Sequence, residues 1–346
     1  MFENKNNRTE LNSLGEFGLI NHIAQTVKIK NPETIKGIGD DAAVINSGNH
    51  HTVVTTDLLV EGIHFDLTYC PLKHLGYKSV VVNISDVYAM NAQPKQITIS
   101  LALSNRFSLE AIEEFYEGVA MACNRYGVDL IGGDTTSSNS GLLISVTAIG
   151  IANADDLVYR NGANDTDLIC VTGDLGAAYM GLQLLKREKE VFVANPNMQP
   201  EFNGYDYLLE RQLKPEAQKQ VIEALHDAKI KPTAMMDISD GLASELHHIC
   251  KQSNVGCRIY EDKLPIDVKT HNLAEEFDFN PTTAALNGGE DYELLFTVPV
   301  TTFEVIKNIK DVHIIGHITD AVSGLYLNTT SNQSFEIKAQ GWDALK

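Results

Sequence analysis

Hydrophobic and polar positions follow two rhythms along this chain. LISVTAIGIA (143–152), DLICVTG (167–173), YELLFTV (292–298) and VHIIGHI (312–318) are short apolar runs rich in β-branched residues, and each predicts a strand. Between such runs the period lengthens. FSLEAIEEFYEGVAMACNRYG places Ile112, Phe115, Val119 and Cys123 at helical spacing, with Ser108 as a cap and Gly127 as a stop. KPEAQKQVIEALHDA (214–228) and DGLASELHHICKQSNVG (240–256) predict two further helices, and AAVIN followed by HTVVTTDLLV predicts a hairpin.

Strands alternating with helices predict an α/β (α+β) chain with sheets flanked by helices. RNGANDTD (160–167) gathers turn formers between two predicted strands, so we set a domain boundary there, giving domains 1–160 and 161–346. Residues 187–213, which include FVANPNMQPEFNGYDY, read as an insertion or a mobile loop. At 346 residues, 43% of them hydrophobic, the chain is long enough for two cores.

Composition narrows the possible partners. No apolar run approaches the roughly 18 residues that span a bilayer, and MFENKNNRTELNS lacks the basic start and apolar centre of a secretory signal, so the expectation is a soluble, cytoplasmic protein. The five cysteines, at 70, 123, 170, 250 and 257, form no C-x-x-C pair and read as reduced core residues. A formal net charge of -19, from 27 Lys plus Arg against 46 Asp plus Glu, argues against a broad surface for nucleic acid or anionic lipid. A phosphorylated ligand would have to be held by something other than a basic patch.

The acidic residues form a series. Asp40 and Asp41 in GIGDDAAV, Asp57 in TTDLLVEGIHF, Asp86 in VVVNISDVYAM, Asp134 in LIGGDTTSS, Asp237 and Asp240 in MMDISDG, and Glu290 and Asp291 in NGGEDYELLF each follow a strand-like run or sit in a Gly-rich turn. One such acid is ordinarily a solvated turn. A series flanked by apolar sequence needs a counter-charge, because an unpartnered buried carboxylate is costly. With Lys and Arg missing from these segments and no Cys or His cluster nearby, a hard divalent cation such as Mg2+ is the expected one, joining protein carboxylates to phosphate oxygens. GIGDDA imitates a dinucleotide fingerprint, but it follows polar KNPETIK rather than a strand and would aim two aspartates at a pyrophosphate. No P-loop, EF-hand or H-E-x-x-H pattern occurs.

Taken in order, GEFGLI, GIGDDAAV, TTDLLVEGIHF, NISDVYAMNAQP, LIGGDTT, VYRNGA, VTGDLG, DISDGL, GGEDYELLF and GWDAL resemble the thiamine-monophosphate kinases, over nearly the whole chain. The related selenophosphate synthetases need a reactive residue near the start, and the related hydrogenase maturation enzymes need a C-terminal Cys; this chain has neither. The resemblance implies a two-domain architecture like that of aminoimidazole ribonucleotide synthetase. The first domain would bind ATP and Mg2+ and pair into a homodimer through its sheet, and the second would complete the site. It implies metal ligands at Asp41, Thr55, Thr56, Asp57, Asp86, Asp134, Asp237 and Asp240, with Asp86 bridging more than one ion, and a catalytic part for Asp86, Asp57 and Asp240. ATP would meet Gly133, Asp134, Arg160, Ser239 and Tyr126; thiamine monophosphate would meet His64, Glu290 and Trp342, the sole tryptophan, whose ring can stack on a cationic heterocycle. Departures from the pattern include Asn91 where glycine is usual and Thr55 where serine is common. Two other readings use the same acids: a metal-dependent phosphatase, and a nucleotide-binding protein without turnover.

Overall fold

A computed structural model describes residues 13–341. The first sheet contains β1 (Thr34–Lys36), β2 (Ala43–Asn46), β3 (His51–Val60), β4 (Gln93–Leu103), β5 (Asp129–Ser137) and β6 (Leu143–Ala152), in the order β1-β2-β3-β6-β4-β5. It is antiparallel except for the β4–β5 pair. Helix α1 (Gly15–Ala24) precedes it, and α2 (Leu72–Ala89) and α3 (Leu109–Tyr126) contribute Val80, Ile84, Phe115 and Val119 to a core shared with Ile97, Ile99 and Val146 of the sheet.

The second sheet is made of β7 (Leu168–Thr172), β8 (Ala234–Asp237), β9 (Val255–Tyr260), β10 (Leu294–Val298), β11 (Val312–Asp320), β12 (Leu325–Asn328) and β13 (Ser334–Glu336), in the order β13-β12-β9-β11-β7-β10-β8. Its helices are α4 (Ala177–Ala194), α5 (Asp206–Leu213), α6 (Lys219–Asp227), α7 (Leu242–Ser253), α8 (Val268–Glu276), α9 (Pro281–Asn287) and α10 (Phe303–Ile306). On one face Ile169 and Val171 of β7 share a core with Leu246 and Ile249 of α7, and on the other Leu168 and Cys170 share one with Leu225 of α6 and Ile306 of α10. A strand covered on both sides has no polar face, which is why LICVT and LLFTV read as unbroken apolar runs.

The predicted cap and stop of α3 are present: Ser108 accepts the amide of Ala111, and Gly127 takes a left-handed φ of 69°. Three expectations need correction. VVVNIS, strand-like in composition, is the middle of α2, where Lys78 to Ser85 are all buried. A helix enclosed on every side loses its 3.6-residue polar period, so a β-branched run inside it imitates a strand. Residues 187–213 are mostly helical, because α4 continues to Ala194 and α5 begins at Asp206, leaving only 195–205 irregular. The Asn, Pro and Gly residues there mark a turn between helices, not an insertion. The 214–228 helix starts only at Lys219: the residues before it form an irregular connection in which the Ala217 amide donates to Tyr126 Oη at 2.9 Å rather than entering a helix.

Candidate active site

Each acid reaches the site by a local rule of its element. Asp57 pairs across the sheet with Val146, which pairs with Ile99, so it stands on the face that α2 covers. Thr55, two residues earlier, faces the same way and donates its hydroxyl to Asp86 Oδ2 on α2 at 2.6 Å. Asp237 ends β8 and accepts from Ser85, also on α2, at 2.6 Å. Asp41 arrives on the Gly-rich loop before β2, where Gly39 has a φ of 117° and open space around it.

The adjacent pair Asp40 and Asp41 divides its labour. Asp40 accepts the amides of Asp41 (3.3 Å) and Arg160 (3.1 Å) and pairs with Lys36 at 2.9 Å, fixing the loop. Asp41 turns inward. Ligand oxygens of Asp41, Asp86 and Asp237 lie within 4.8 Å of one another.

Such crowding moves protonation equilibria. Burial pushes Asp237 up to about 7, with Asp41 next in effect. Burial also pushes Asp57 to about 6, helped by Glu16. Asp86 lies well above the usual carboxylate range because of desolvation, then the charges of Asp57, Asp237 and Asp41. The acid-bearing segments carry no Lys or Arg, but Arg160, from a separate segment, reaches them: its guanidinium bonds Asp41 Oδ1 at 2.7 Å. One guanidinium does not balance Asp41, Asp57, Asp86 and Asp237, and Asp41 Oδ2 is buried without a hydrogen-bond partner. A cluster of hard oxygens with an orphaned buried acceptor fits a divalent cation.

These residues floor a cleft of about 1970 Å³ between the domains, also lined by His64, Ser239, Asp240 and Glu290. Single-ligand pockets run to roughly 1,000 Å³, so this one has room for two substrates. Asp240 donates its amide to buried Glu245 at 2.9 Å. His64 Nδ1 accepts the amide of Val60 at 3.1 Å, and burial lowers its pKa, leaving a neutral ring. Glu290 is held by Lys78 at 2.8 Å and Gln212 at 2.7 Å.

Other expected residues stand elsewhere. Asp134 and Gly133 lie on exposed β5, at the far edge of the sheet, in a separate shallow hollow with Tyr116. Three strand steps separate β5 from β3, roughly 14 Å, so within one chain Asp134 does not share an ion with Asp57. A Cβ on Gly133 would stand 1.7 Å from the carbonyl oxygen of Ile99, so strand packing alone demands glycine there. The Thr56 hydroxyl donates to the carbonyl of Val146 at 3.0 Å, turned away from the acids. Tyr126 lines neither hollow: it is buried and bonds Glu216 at 2.5 Å, whereas Tyr116, unmarked by any motif, sits beside Gly133. Trp342 lies outside the described residues. Lys78 and Gln212 were also missed, since nothing in a sequence announces a buried lysine.

Two family models match this chain: AIR synthase related protein, N-terminal domain, over residues 39–152, and its C-terminal counterpart over 168–327. The thiamine-monophosphate kinase of Aquifex aeolicus is 36% identical over 290 residues, covering 84% of this chain and 87% of the relative. That of Bacillus subtilis is 34% identical over 339 residues, covering 96% and 100%. The chain belongs to the thiamine-monophosphate kinase family. A solved structure described as AaThiL complexed with AMPPCP and TMP superposes with a TM-score of 0.84 at 34% identity, covering 98% of this chain and 99% of that one. As an enzyme of the thiamine-monophosphate kinase family, the chain is a phosphotransferase of mixed α/β architecture with two AIR synthase-like domains.

Proposed function

We infer that this chain transfers the γ-phosphoryl group of ATP to thiamine monophosphate, giving ADP and thiamine diphosphate. The observation that carries the reading is the near-complete superposition on a kinase solved with AMPPCP and TMP, combined with a cleft whose acids crowd within 4.8 Å. The acceptor is a phosphate monoester with a second pKa near ~6, already largely ionised at pH 7, so no general base is required. The obstacle is repulsion between two anions. Asp41, Asp86 and Asp237 would hold Mg2+, with Asp57, Asp240 and Thr55 beside them, and Asp86 would serve more than one ion. Bound Mg2+ supplies neutralisation of the phosphate charge. Arg160 adds a fixed positive charge, and Ser239 borders the nucleotide. His64, Glu290 and Trp342 orient the thiamine end, so that the acceptor oxygen and the leaving oxygen come into line.

Asp134 and Gly133 enter this scheme through a second copy. Exposed Leu130 and Ile131 on edge strand β5 support a homodimer formed through the first sheet. ATP as donor agrees with a cytoplasmic setting, and among the described residues no helix is long and apolar enough to cross a membrane. The test is incubation with ATP, Mg2+ and thiamine monophosphate, separating products by chromatography. Thiamine diphosphate is the expected product. Free phosphate without thiamine diphosphate would indicate a phosphatase, and neither product a nucleotide-binding protein.

A further inference from the structure

The loop carrying Glu290 is held in an unfavourable backbone conformation. Glu290 has a φ of 57° and Tyr292 a φ of 52°, both in the left-handed region that side chains other than Asn and Gly rarely enter. Such residues persist where their surroundings over-determine them, and they cluster at functional positions. Here the ties are many. Asp291 accepts the amide of Gly176 at 2.9 Å, Glu293 pairs with Arg211 at 2.8 Å and accepts from Thr172 at 2.5 Å, and the amide of Glu290 donates to the carbonyl of Ser239 at 2.7 Å.

The side chain of Glu290 is fixed as closely as its backbone. Lys78, 3% exposed on α2 of the first domain, meets Oε1, while Gln212, 4% exposed on α5, donates Nε2 to Oε2. Lys78 also donates to the backbone carbonyl of Gln212 at 3.1 Å, closing a ring of three residues from two domains. The Glu290 side chain remains 27% exposed, on the cleft. Its charge is matched by Lys78, and its exposed part borders the cleft. A carboxylate so oriented suits an N–H donor, such as the amino group on the pyrimidine ring of thiamine monophosphate.

We propose that Lys78 and Gln212 are positioning residues for thiamine monophosphate, acting through Glu290. Helix α5 thereby joins the end of α4, which contributes Lys189 and Glu190, in serving the cleft from the 187–213 segment. This rests on the kinase reading above. Lys78→Met and Gln212→Leu keep the size of each side chain and remove its donor to Glu290.

Steady-state kinetics with both substrates varied gives the test. Gln212→Leu should raise the KM for thiamine monophosphate about tenfold, about 1.4 kcal/mol, with the KM for ATP within about twofold of the unmodified chain and the same Tm. Lys78→Met should shift the same constant in the same direction. In a Glu290→Ala background, Gln212→Leu should add less than about twofold, because its route of action is already gone. A normal KM in Gln212→Leu, equal rises for both substrates, or a second full rise in the Glu290→Ala background would overturn the proposal alone. Failure of both single variants to fold would make the ring a structural tie and overturn it too. Absence of turnover by the unmodified chain would overturn the kinase reading and this proposal with it.

Discussion

At the scale of single residues, the site is a set of carboxylates held close against their own repulsion. Asp86 is the centre of that repulsion, being crowded by Asp57, Asp237 and Asp41. Asp86→Asn removes a charge while keeping an oxygen to accept from Thr55. It should lower kcat at least about a hundredfold, the scale at which removal of a key electrostatic group acts, while Tm stays level or rises. Near-normal turnover, or a Tm drop of many degrees, would contradict this. The series of acids was legible in the sequence because Asp41, Asp237 and Asp240 sit in or beside turns and the others follow apolar runs, although the run before Asp86 proved to be helix α2; their separate roles were not legible. Asp40 and Asp41 are neighbours in sequence, yet one fixes a loop and the other faces the cleft. Asn91 has a φ of 54°, and Asn is among the few residues that tolerate that conformation.

At the scale of elements, α2 does most of the positioning, supplying Lys78, Ser85, Asp86 and Asn83, which accepts the amide of Asp57 at 3.0 Å, from one nearly buried helix. Its place is set by close contact with α3. A Cβ on Gly118 would stand 1.8 Å from the carbonyl oxygen of Lys73, and one on Gly76 would stand 2.0 Å from that of Phe115. Gly118→Ala gains roughly 1 kcal/mol of helix propensity but forces backbone against backbone, so a net loss of about 2 kcal/mol is expected in urea unfolding. An unchanged or greater stability would show that the helices can part freely. The strands of the second sheet were legible because burial on both faces leaves continuous β-branched runs. The same reasoning misread the middle of α2, since complete burial removes the period that separates helix from strand. The β5 stretch LIGGDTTS was hidden for the opposite reason: its glycine pair looks like a turn, yet Gly133 lets β4 and β5 approach closely.

At the scale of the whole molecule, two domains meet over the acids, and Glu216 ties them by accepting from Tyr77 at 2.7 Å and from Tyr126. The raised carboxylates make stability depend on pH with a definite sign. With Asp57 at about 6 and Asp237 at about 7, against 3.8 for a free Asp, the metal-free fold binds more protons than the unfolded chain across that window. These groups therefore withdraw stability as pH rises from about 4 to 7, whereas the proposed Mg2+ binding would need them deprotonated and would strengthen over the same range. Thermal melts should show a larger Mg2+-induced rise in Tm at pH 8 than at pH 5; an equal rise at both would contradict the assigned ligands. The most direct measurement is anomalous diffraction from crystals grown with Mn2+ in place of Mg2+ and a non-hydrolysable ATP analogue. The account predicts an anomalous peak in contact with Asp41, Asp86 and Asp237, with phosphate oxygens on its far side. Bound analogue with no peak at those three carboxylates would contradict it.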